Sequence, residues 1–178
     1  PACGSHWPLF GRDDHADPVM DDVAIARALH VLAVVLWIGG VGFVTTALLP
    51  AIRRTAPPAE RLARFDAVER RFAWQARIAT LVAGGSGFYM TARLDLWDRF
   101  RSASFWWMDA MVLVWLLFTL MLFVAEPLFL HRWLHARAEA DPDGTFRLIE
   151  RWHRVLSILS LVTVLGAVAG SHGLALFE

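Results

Sequence analysis

Residues 23–50 read VAIARALHVLAVVLWIGGVGFVTTALLP. A helix crosses the hydrocarbon core of a bilayer with roughly 20 largely apolar residues. This stretch exceeds that length, and Pro50 closes it. Its first segment, about Val23 to Leu49, has three counterparts: about Ala73 to Thr91, about Phe105 to Leu130 and about Val155 to Leu174. The expected fold is therefore all-α, an integral membrane bundle of four transmembrane helices over residues 23–174. A polar leader (residues 1–22) and a short tail (residues 175–178) flank it.

Composition agrees. The chain has 178 residues, 57% hydrophobic and only 19% charged, below the ~25% usual for soluble domains. Formal net charge is zero, and all seventeen basic residues are arginine. The lack of lysine excludes chemistry that needs an amine side chain, and a uniformly basic nucleic-acid surface is absent. Cys3 is the one cysteine, so no internal disulfide or thiolate cluster is expected. The leader, with five aspartates and no long apolar run, does not read as a signal peptide.

Arginine sets the expected orientation. Arg53, Arg54, Arg61, Arg64, Arg70, Arg71 and Arg77 surround the first connection, and Arg132, Arg137, Arg147, Arg151 and Arg154 the third; together they are twelve of the seventeen. That end is expected in the cytoplasm and both termini in the periplasm, with the bundle in a bacterial inner membrane. Trp97, Trp106 and Trp107 at the outer end and Trp133 and Trp152 at the inner end suit interfacial belts. Leu62, Phe65 and Val68 suggest an amphipathic lead-in helix from near Ala59, lying at the interface. Asp141, Pro142, Asp143 and Gly144 form the expected turn of the last connection.

Histidines fall at two levels. His30 and His172 lie near the outer ends of the first and fourth helices; His131 closes the third and His153 opens the fourth at the inner end. At 1.5 Å per residue, the nineteen residues from His153 to His172 span roughly 28 Å, close to the hydrocarbon thickness. Imidazole in lipid is costly unless paired or ligated, and it is the usual axial ligand of haem. Two histidines on facing helices at one depth suit a bis-histidine haem b, giving one haem or two. The alternative is a set of interfacial side chains bonded to water or lipid. His135, one turn beyond His131, is an alternative inner ligand, whereas His6 and His15 lie in the leader. Trp37 shares a stripe with His30.

Glycines in the first, second and fourth helices allow close helix packing or leave room for a macrocycle. Asp109 and Glu126 lie within the third apolar block, where an acid needs a named partner: Arg93 or His30 for Asp109, and Arg70, Arg71 or Arg77 for Glu126. Met90, Met108 and Met111 share the outer level with His30 and His172, a donor set open to copper or to packing.

The run from Leu29 and His30 through Trp37, Ile38, Gly39 and Gly40 resembles the opening helix of CopD-like membrane proteins. Glu69, Arg70, Arg71 and Phe72, followed by a glycine-rich second helix and a tryptophan-led third, resemble the HemJ-type protoporphyrinogen oxidases. The likeness covers about residues 24–173. It implies copper resistance or uptake in the first case and a haem-binding oxidase in the second. It maps a haem-associated histidine onto His30 and a basic pair onto Arg70 and Arg71. The lysine of the oxidases' third helix has no counterpart here, which counts against porphyrinogen oxidation.

The first expectation is a b-type haem protein carrying electrons between quinone and a periplasmic partner, with His30, His172, His131 and His153 as ligands and Arg70, Arg71 and Trp37 lining the cofactor. The alternatives are a copper-handling protein, a porphyrinogen oxidase, or a cofactor-free subunit of a larger assembly. The lipid bilayer is the expected surrounding in every case, and an oligomer is compatible with each.

Overall fold

The structure, a computed structural model, describes residues 18–173. Cys3, His6, His15 and the tail fall outside the described residues. Helices α1 (Pro18–Phe43) and α2 (Leu49–Thr55) form one rod through a π-helical turn, Val44–Leu48. After Pro57, α3 (Pro58–Arg93) runs back alongside it. Two short 3-10 segments lead into α4 (Trp106–Leu120), which continues through a π-helical stretch, Met121–Leu130, into α5 (His131–Ala140). The last rod is α6 (Pro142–Ser171), and the described residues hold no strand.

Three helical segments are long and apolar enough to cross a membrane: Asp21–Thr55, Ala103–Ala140 and Pro142–Ser171. Large apolar side chains cover their outer faces, with Val35 62%, Leu113 64% and Leu165 70% exposed. Apolar surface on this scale does not face water in a monomeric soluble protein. The chain is a membrane-embedded helical bundle.

The rods are longer than their apolar blocks. The lead-in and the second expected span are one helix, α3, starting at Pro58. The expected turn at 141–144 shrinks to Asp141, whose carboxylate accepts from the Gly144 amide (2.8 Å) as the N-cap of α6. Consequently His131 opens α5 instead of closing the third rod, and His153 lies well inside α6. The apolar face of the lead-in is covered by protein at Leu62 and Phe65. They are buried with Leu49, Ile52, Phe146 and Ile149 in a core at the arginine-rich end, while Val68 is exposed.

A second core holds Ala33, Trp37, Ile38 and Val41 of α1 against Ala79, Ala83, Val114, Phe118 and Leu156. Aromatic rings fill four of the glycine notches of the bundle. A Cβ at Gly40 would overlap Phe72, one at Gly84 the Trp115 indole, and those at Gly166 and Gly170 the Trp106 and Trp107 indoles. At these four glycines rings pack against bare backbone, the small-residue device of membrane helices, whereas Gly39, Gly42 and Gly85 have nothing within 4 Å of an added Cβ. Trp106 and Trp107 therefore key α4 to α6, whereas Trp97, Trp133 and Trp152 are half exposed, as belt residues are.

Candidate metal centre

The second π-helical stretch organises the arginine-rich end. Pro127 lies inside it and has no N–H to donate. In π geometry the amide of residue 127 would bond the carbonyl five residues earlier, that of Leu122. Arg77 takes that place: its Nε donates to the Leu122 carbonyl (3.1 Å), and its Nη2 is ion-paired with Glu126. Glu126 thus meets one of its three expected partners. One guanidinium satisfies both an orphaned carbonyl and a carboxylate inside a helix pair, which few other side chains have the donors to do.

Further along the same seam, α5 presents His131 and His135 one turn apart. Their ring centroids are 4.4 Å from each other. Nε2 of His135 is 2.7 Å from the Asp66 carboxylate on α3. The ligand atoms of Asp66, His131 and His135 all lie within 4.8 Å of one another. A zinc-type set with bonds of about 2.0–2.1 Å separates its ligand atoms by roughly 3.4 Å, so small rotamer changes close the triangle. Asp66 is 17% exposed and His135 46% exposed, which leaves one side of the site open. Glu69, one turn along α3 from Asp66, is pushed up to about 7 by burial, helped by the carboxylates of Glu126 and Asp66.

The other expected residues sit as follows. His30 is half-buried between α1 and α3; its Nδ1–H donates to the Ala83 carbonyl (2.9 Å), with Ser86 Oγ at 3.2 Å and the ring against Gly87. His172 is exposed, and its Nδ1–H donates to the Val168 carbonyl of its own helix (2.8 Å). No hydrogen bond or ring contact among the described residues joins these two rings. His153 donates from Nδ1 to the Ile149 carbonyl (3.0 Å) and stands edge-on to Phe65, not against His131. Trp37 is core, edge-on to Phe118 at 4.9 Å. Arg70 and Arg71 are exposed, on the rod that carries Asp66.

Asp109 pairs with neither expected partner. Arg93 bonds Asp22 (3.0 Å), which also accepts from Tyr89 (2.8 Å), and His30 is held by α3. The residue missed in sequence was Asp66. Its signal is a polar face, Asp66, Glu69 and Arg77 at helical spacing, opposed in an antiparallel neighbour by Glu126, His131 and His135.

No family model, curated protein or solved structure matches the chain.

Proposed function

We propose that this chain is a four-span membrane protein that handles a transition-metal ion, held by Asp66, His131 and His135 and not by the outer set of His30, His172 and methionines that the sequence left open to copper. The observation that carries the reading is the convergence of Asp66, His131 and His135, with ligand atoms within 4.8 Å. Two imidazoles and a carboxylate suit borderline divalent ions, and the Irving–Williams order puts Cu2+ above Zn2+ and Ni2+ at such a site. Histidines at i and i+4 share one helix face, the arrangement used by helical metal sites. The third ligand comes from another rod, so an ion bound there ties α3 to α5. An open side leaves positions for water or an exchanging ligand. The arginine bias supports a cytoplasmic location for this end and periplasmic termini. The fourth span is then the second half of α3, which packs along α1.

The test is titration of chelator-treated protein with Cu2+ and Zn2+. Wild type takes one ion per chain. His131→Ala, His135→Ala and Asp66→Asn each weaken binding by more than about tenfold, the least that losing even an outer partner of a ligand costs. His153→Ala leaves it unchanged. Wild-type affinity in the triple variant would end the proposal.

A second reading, a b-type haem protein exchanging electrons with quinone and a periplasmic partner, is favoured by the tethering of His30. Its Nδ1–H is held by a backbone carbonyl, which leaves Nε2 as the lone pair an axial ligand offers. His172 is tethered in the same way. A reduced-minus-oxidised spectrum of the purified protein with sharp low-spin bands, lost in His30→Ala, is the expected result on that reading. A featureless spectrum removes it.

A further inference from the structure

Away from the Asp66 seam, the arginine-rich end carries a second feature. Arg53 at the end of the first rod and Arg147, Arg151 and Arg154 of α6 line a cleft of about 210 Å³ together with Glu150. Its charges do not cancel. Glu150 is ion-paired with Arg53, and Arg147 with Asp143, which also binds Arg61. Arg151 and Arg154 have no acidic partner among the described residues. Four guanidiniums against one lining carboxylate make a site for an anion with several oxygens, and phosphate oxygens match the arginine fork.

The apolar surface above the cleft narrows the choice of anion. Arg147, Arg151 and Arg154 lie on one stripe of α6, at i, i+4 and i+7. At 100° per residue, Ile158, Leu161 and Leu165 continue that stripe within roughly 40° of one line. All three are exposed, at 57%, 59% and 70%. The cleft is thus the polar end of an apolar track that runs up a span. Trp152, half exposed on the same helix, marks the interfacial level.

We infer that this cleft binds the phosphodiester headgroup of an anionic phospholipid, with one acyl chain lying along Ile158, Leu161 and Leu165. Charge complementarity selects the headgroup, and the apolar continuation selects a lipid over a soluble phosphate. Basic pockets between spans hold anionic headgroups in this way.

The experiment is native mass spectrometry of the full chain released from nanodiscs of phosphatidylglycerol and phosphatidylcholine, scoring retained lipid. Wild type retains phosphatidylglycerol selectively. Arg151→Gln with Arg154→Gln, two exposed side chains without ion pairs, reduces that retention roughly 30-fold, at the per-arginine strength typical near a membrane surface. Arg99→Gln with Arg101→Gln, at the opposite end, leaves it intact. Equal retention of the two lipids, or full selectivity in the Arg151/Arg154 variant, overturns the inference. Displacement of the lipid by millimolar inorganic phosphate also overturns it, since the occupant is then a soluble anion. Circular dichroism and the metal titration of the double variant show that the bundle is intact.

Discussion

Replacing Arg77 by methionine keeps the aliphatic stem and removes every donor. Two costs follow. Glu126 is left as an unpaired carboxylate inside a helix pair, and the Leu122 carbonyl loses its partner. The Arg77 and Glu126 side chains are 25% and 27% exposed, between the buried case, where breaking a pair costs about 3–5 kcal/mol, and the exposed case, about 0–1 kcal/mol. A figure of about 2 kcal/mol is therefore apt for the charge, and about 1–2 kcal/mol for the carbonyl. Arg77→Met should destabilise the bundle by about 3 kcal/mol, read by denaturant unfolding in micelles. In a Glu126→Gln background the same change should cost only about 1–1.5 kcal/mol, because the stranded charge is gone. In a Pro127→Ala background the carbonyl share shrinks, since position 127 regains an N–H. If Arg77→Met costs the same in all three backgrounds to within about 0.5 kcal/mol, the residues act independently and the account of the proline is wrong.

Other expectations follow from the same geometry. Gly84→Ala drives a methyl into the Trp115 indole, which donates to the Thr80 carbonyl (2.9 Å); a loss of about 1–3 kcal/mol is expected. Gly85→Ala, with nothing within 4 Å of the added carbon, should be neutral or stabilising by up to about 1 kcal/mol, and equal losses at both sites would contradict the packing account. His30→Ala should cost about 1–2 kcal/mol in thermal unfolding through the lost Ala83 bond and ring packing; no loss would mean that the ring does not bracket α1 to α3. Glu69, held up to about 7 in the fold against 4.5 ordinarily, keeps its proton in the folded chain between those values while the unfolded chain loses it. Its contribution is thus present below about pH 4.5 and disappears as pH rises to about 7, by at most about 3 kcal/mol. Glu69→Gln in chelator-containing buffer should flatten that part of the stability curve, and an unaltered slope would assign it to another group.

The helical class and the apolar blocks were legible because hydrophobic run length is a one-dimensional property. Helix ends were less so. Polar residues around Arg132–Ala140 and Pro142–Arg154 looked like a connection, yet they are helical because Phe146 and Ile149 bury against Leu62 and Phe65 of a distant segment. The sequence gives the histidines' depth alone. Depth does not fix which way a ring turns about its helix, and Ile149, Ala83 and Val168 carbonyls claimed three of the rings. Asp66 is not legible in the sequence because its significance comes from a neighbour sixty-nine residues away. Glycine marks positions open to close contact, but only the fold shows that Gly40, Gly84, Gly166 and Gly170 meet aromatic rings while Gly39, Gly42 and Gly85 meet nothing.

The π-helical stretch from Met121 to Leu130 contains none of the three proposed ligands, yet it sets where two of them point. Each of its bonds reaches back one residue further than in an α-helix, so the stretch stores an angular offset between α4 and α5. Were the period to revert, α5 would turn on its own axis while the α4 indoles stayed seated on the glycines of α3 and α6, and both imidazoles would swing off Asp66. The bearing of the ion site is decided upstream, by a proline and by the arginine that stands in for its missing proton.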